Sequence, residues 1–167
     1  MRTVDSYRFL NRVTAKVIRA WVQREQPGAI PWSPLRKPLS ACTVALVSSA
    51  GIARTDDRPF DEEGERRDPW WGDPSVRVIP RDTTEADVRF HHLHVDTRLG
   101  AEDLDCVLPL RRLEELRAGR VVGGVAASHY SIMGFLLQPA ELVETTAPAV
   151  ARAMVAEGVD AAVLVPV

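Results

Sequence analysis

The chain has 167 residues, of which 46% are hydrophobic and 26% charged, and it carries a net charge of −2. That is the size and balance of one soluble globular domain with a substantial core. Near-neutral charge gives no electrostatic case for nucleic acid or an anionic membrane, and no run of about 18 apolar residues or apolar signal core occurs, so we expect a cytoplasmic protein with no membrane span.

Val4, Tyr7, Leu10, Val13, Val17 and Trp21 recur every three or four residues, which predicts a helix over 4–24, ended by Pro27-Gly28. Pro27, Pro31, Pro34 and Pro38 then prevent regular helix and predict an extended strap, pinned by Trp32. Residues 42–47, Cys-Thr-Val-Ala-Leu-Val, are continuously apolar, the pattern of a parallel strand buried on both faces. Ser48-Ser49-Ala50-Gly51 follows, small enough for a ligand or backbone to approach, but with no Gly-rich phosphate fingerprint. Residues 54–74 are acidic and turn-rich and predict a long solvated loop, with Trp70 and Trp71 folding back over apolar surface.

Residues 76–80 predict a short strand, and 88–96 a longer alternating one. Pro109 to Gly119 predicts a helix, with Pro109 in its first turn, Gly119 at its C-terminal cap, and Leu110, Leu113 and Leu116 on its buried edge. A strand over 121–126, a helix over 147–157, a stop at Gly158 and a final strand over 161–165 complete the series. Alternating strands and helices predict an α/β fold: a mainly parallel open sheet flanked by helices, with an N-terminal helix and an extended Pro-rich strap. We expect one α/β domain over 1–167, with helix and strap in 1–40 and the sheet body in 41–167. Cys42 and Cys106 form no C-x-x-C pair and are expected to be free, buried thiols.

The four histidines, His91, His92, His94 and His129, lie within 39 positions. On a strand over 88–96, His92, His94 and Asp96 would share one face and His91 the other. Two imidazoles and a carboxylate there could hold zinc or iron, bind a substrate carboxylate, or move protons near neutral pH. They could equally be a hydrogen-bonded edge of the core. His129 falls just after the strand over 121–126, at the carboxyl end where α/β proteins place functional side chains. Ser128 and Ser131 lack a G-x-S-x-G elbow, so a serine hydrolase is not expected.

Several segments in order form a larger pattern: Val4-Asp-Ser-Tyr-Arg-Phe-Leu10, the stretch from Pro31 to Ser40, Trp71-Gly-Asp-Pro74, His92-Leu-His94, Leu108 to Leu116, Ser128-His-Tyr-Ser131 and Glu144-Thr-Thr-Ala-Pro148. This resembles the selenoprotein B family of glycine, sarcosine, betaine and D-proline reductases, along nearly the whole chain. The resemblance implies reductive cleavage of a carbon–nitrogen bond in a small amine or amino-acid substrate. It also implies that the segment ending at Val167 leads into a selenocysteine, or a cysteine in its place, that acts as nucleophile. We therefore expect a sequence cut at a recoded stop codon, a C-terminally incomplete sheet body, and no activity in this chain by itself. No other cofactor is evident and the metal content is left open.

By the same resemblance, His92, His94 and His129 are the candidate catalytic residues, with Asp96 orienting one of them. Expected partners are the substrate and either a reductase subunit or a second copy of the chain. Two other readings stay open: a non-catalytic binding or partner subunit, and a metal-dependent enzyme using His92, His94, Asp96 and His129.

Overall fold

Strand β1 (Thr43–Ser48) is the axis of the fold, buried along most of its length as its apolar run requires. The computed structural model describes residues 11–23, 32–68 and 70–167, in two compact units, Met1–Pro34 and Leu35–Val167. In the first unit, helix α1 (Arg12–Val22) begins where the Asn11 side chain accepts from Thr14 N at 2.9 Å. The predicted helical positions 4–10 and 24, and the Pro27-Gly28 stop, lie outside the described residues.

In the second unit, β1 pairs in parallel with β7 (Ala161–Val165) over five residues, from Val44 opposite Ala161 to Ser48 opposite Val165. Its other edge is shared by two short parallel strands, β5 (Gly124–Val125) and β6 (Ser128–Ser131). Strand β3 (Arg77–Pro80) runs antiparallel to β6, which makes the sheet mainly rather than wholly parallel. After the short helix α3 (Arg98–Glu102), helix α4 (Leu110–Ala118) has Pro109 and Gly119 at its ends and contributes Leu110 and Leu113 to the core cluster that also holds Val44, Leu46 and Ile79. Each such side chain taken out of water contributes about 2 kcal/mol. Leu116, expected on that buried edge, is instead 44% exposed.

Three stretches differ from their predicted secondary structure. First, the alternating pattern of 88–96 makes strand only as β4 (Val88–Phe90). Its partner β2 (Ile52–Arg54), too short to show in the sequence, begins just after Gly51, whose positive φ of 62° turns the chain out of β1. The pairing ends there, so His91 to Asp96 form a turn and not a face.

Second, 121–126 is strand only at Gly124–Val125, and His129 lies inside β6 rather than beyond a strand. Third, the acidic stretch is not a solvated loop. It contains helix α2 (Glu62–Arg67) and buries Phe60, Glu65 and Asp73. The guanidinium of Arg77 locks it down: it donates to the carbonyls of Arg58 and Pro59, stacks 4.1 Å over the Phe60 ring, and lies 3.7 Å from Asp73. Trp71 packs against Gly64, while Trp70 is exposed. Cys42 is buried as expected and Cys106 is exposed, and both are free thiols.

Helix α5 (Ala147–Ala156) is preceded by a widened π turn over Leu142–Thr146. Pro148 accounts for it, because it lacks the N–H that Glu144 would receive and its ring crowds that carbonyl. Gly158, at φ 78°, turns the chain into β7, and Asp160 anchors the entry by accepting from Thr43 N and pairing with Lys37 at 2.8 Å.

Candidate functional site

The carboxyl end of β1 is a meeting point of four segments: Ser49–Gly51, the turn after β4, Met133–Phe135 and the residues after β7. Gly51 N donates to the Ile132 carbonyl, and His91 N donates to the Gly51 carbonyl. Ser49 N donates to the Val165 carbonyl, and the Ser49 hydroxyl accepts from Val167 N at 2.9 Å. The last described residue is thus fixed to the strand-end loop. Gly134 packs into the same place: a Cβ there would lie 2.7 Å from the Ser49 carbonyl oxygen, 2.8 Å from His92 Nε2 and 3.2 Å from Ser49 Oγ. Only a glycine lets the imidazole and the hydroxyl come so close to this backbone.

His92 is almost fully buried. Its Nδ1 accepts from His94 N at 3.2 Å, which leaves the proton of the neutral ring on Nε2, toward the Gly134 notch. Burial, and after it the neighbouring His94, hold its pKa below the ordinary histidine value. His94 is half exposed and tilted against the Phe135 ring, 4.2 Å between centroids. Its Nε2 lies 2.9 Å from Oε1 of Glu65, a residue only 3% exposed. The imidazole is near but out of line, and neither Glu65 oxygen receives an aligned hydrogen bond from the described residues. Burial holds the Glu65 carboxyl above its ordinary pKa, and His94 offsets only part of that rise. One helical turn away, Glu62 Oε1 meets His91 Nδ1 at 2.8 Å, so α2 is seated on the histidine turn by two imidazole–carboxylate contacts.

His129 belongs to a different environment. Between Val44–Val125 and Val47–Tyr130, three steps along β1 face five along its partner. This bulge leaves Leu46 N without a main-chain acceptor, and His129 Nδ1 takes its place at 2.9 Å. The ring is 0% exposed, its Nε2 has no hydrogen-bond partner among the described residues, and burial lowers its pKa to about 4. Glu157 braces the bulge by accepting from Ala127 N and, at 3.0 Å, from Ser128 N. Burial alone would raise its carboxyl, but those backbone donors outweigh it and the pKa falls.

Of the four candidate residues, His92 and His94 adjoin, while His129 is bound into the sheet. Asp96 lies exposed beyond the turn and is held by Arg98 at 2.7 and 2.9 Å, with its pKa lowered by that guanidinium. Ser131, weighed as a nucleophile, accepts from Ile52 N. Among the described residues, no group of three or more His, Cys, Asp or Glu is placed to hold a metal ion. Sequence reasoning missed Glu65, Ser49, Gly134 and Phe135. Only the small-residue run 48–51 signalled any of them.

An open cleft of about 500 Å³ lies at the other end of the sheet, lined by Arg81, Thr84, Glu85, Leu110 and Arg111 among others. It lies at the amino end of the parallel strands, since Pro80 pairs with Ser128 at the start of β6. Its Arg111 is already neutralised by Glu85, Asp103 and Asp105. The strand-end notch lies where open α/β sheets bind ligands, beyond their carboxyl ends, and is taken as the candidate site.

Fold and site together define an open, mainly parallel α/β protein with a histidine notch at its strand ends. The family model for the glycine/sarcosine/betaine reductase selenoprotein B matches residues 12–167, and the chain belongs to that family. It is 32% identical over 133 residues to the D-proline reductase subunit gamma of Acetoanaerobium sticklandii, a match covering 80% of this chain and 52% of that protein. The chain therefore spans about half the length of that curated relative. No solved structure matches it. Among the described residues, no helix is long and apolar enough to cross a membrane.

Proposed function

We propose that this chain forms the substrate-binding half of a reductase that cleaves a carbon–nitrogen bond in a small amine or amino acid. In this reading the nucleophile, a selenocysteine or cysteine, follows Val167 in the whole protein. Such a group supplies the electron pair that displaces the amine, and a dithiol supplies the two reducing equivalents. The observation that carries the reading is the Val167 N to Ser49 Oγ hydrogen bond, which holds the strand exit beside the notch occupied by His92 Nε2.

In this reading the side chains take roles that suit their positions. His92, neutral and donating through Nε2, binds a substrate carboxylate. His94, half exposed, gives a proton to the departing nitrogen. Phe135 and Leu136 supply an apolar wall, and Gly134 leaves room for the reacting carbon. His129, in this reading, supports the strand and does not touch the substrate. The test is the nucleotide sequence beyond the Val167 codon: a continuation with a selenocysteine or cysteine codon directly after Val167 is expected, and a frame encoding neither contradicts the proposal.

The relative is named as a subunit, and we extend that to this chain: it works within a larger reductase assembly. β7 supports this, since among the described residues it pairs on one edge only and leaves Val163 and Leu164 exposed, the latter at 71%.

A further inference from the structure

We propose that Glu65 is a positioning residue of this site, anchoring the Nε2–H of His94 from inside the protein so that Nδ1 faces the substrate, takes up a proton from solvent and passes that proton to the departing nitrogen. The inference rests on the reading of the notch as a proton-transferring site. It deepens that reading by adding a residue that neither the family match nor the histidine pattern indicates.

Glu65 is isolated among the described residues. A carboxylate this deeply buried, with no aligned donor on either oxygen, is costly unless a partner is supplied. The charged groups that act on it are His94, Glu62 and Arg66. Arg66 turns to Glu62, at 3.4 Å, and Glu62 meets His91. That leaves His94 as the nearest donor, with its Nε2 at 2.9 Å. A small rotation of a half-exposed ring brings the N–H into line.

The remaining degrees of freedom of His94 are already limited. Its backbone N–H is committed to His92 Nδ1, and its ring rests on Phe135. A carboxylate that fixes one imidazole nitrogen sets the tautomer and aims the other, as in hydrolase triads. Here the carboxylate sits on α2, and Arg77 and Asp73 lock the segment that carries it. The charged stretch thus delivers one acid to the interior.

The test is imidazole NMR on the 167-residue chain, which needs neither substrate nor nucleophile. We expect a slowly exchanging His94 Nε2–H signal in the wild type, lost in Glu65→Leu and retained in Glu65→Gln, whose amide carbonyl still accepts. A wild-type His94 protonated on Nδ1, with Glu65 donating to Nε2, overturns the proposal even if the leucine variant fails to fold. Survival of the Nε2–H signal in a folded Glu65→Leu also overturns it. In the complete reductase, Glu65→Leu should lower kcat by about 10- to 100-fold with a smaller change in KM, and Glu65→Gln should recover part of it. If the NMR signature holds but no C–N cleavage is found, the proposed function fails and the anchoring of His94 stands.

Discussion

His129 and the His92–His94 turn use the same side chain for opposite purposes. His129 sits inside the sheet, replaces a missing main-chain acceptor and is sealed from water. The turn sits at the sheet's mouth, where one ring faces a notch and the other is half exposed over a buried acid. Imidazole serves as backbone where the strand bulges and, in the proposed function, as chemistry where the strand ends. Position relative to β1 decides which.

The contrast is broken most severely at His129. His129→Ala orphans the Leu46 N–H and opens a cavity, so it should destabilise the fold by about 3 kcal/mol, against about 1 kcal/mol for His92→Ala. Urea unfolding of both variants measures this, and equal losses would erase the distinction.

Acid should find the same residue. With a folded pKa of about 4 and an unfolded value near 6.5, the unfolded chain binds a proton that the folded chain refuses. Stability from the neutral ring is therefore complete above about pH 6.5 and falls as pH drops toward 4, by about 3 kcal/mol. Denaturant midpoints across that range should show the slope, and His129→Gln should flatten it.

Gly134→Ala sharpens the other side. Its Cβ would collide with the Ser49 carbonyl and His92 Nε2, costing about 1–2 kcal/mol and moving the His92 ring. His92 resonances should shift while those of His129 stay in place. The smallest effect belongs to Ser49→Ala, about 1 kcal/mol or less, since the Val167 amide is exposed and water can replace the hydroxyl. Amide exchange at Val167 should speed up, while global stability falls by no more than that amount.

What was legible in the sequence follows the same division. β1, α4 and β7 could be read because their signals are local: an unbroken apolar run, Pro109 and Gly119 at helix ends, Gly158 before a short apolar strand. The His92–His94 pair and the small residues after β1 were legible as candidates for the same reason. The bulge that captures His129 was not, because a two-residue mismatch between strands exists only once the strands are paired. The alternation of 88–96 overran its true strand because no sequence signal marks where the partner β2 stops. Glu65 was hidden in a charged run that composition assigns to solvent. Its burial comes from the distant lock of Arg77 on the Arg58 and Pro59 carbonyls and from the histidine turn above it.

The central claim is that the exit of β7 opens onto the His92 notch. The most direct measurement places a spin label on a cysteine added after Val167, with Cys106 replaced by serine because it is the exposed thiol. The account predicts strong broadening of His92, Gly134 and Phe135 signals, with Thr83 and Thr84 at the opposite end of the sheet left sharp. Sharp His92 and Gly134 signals, or broadening centred on Thr83 and Thr84, would contradict it.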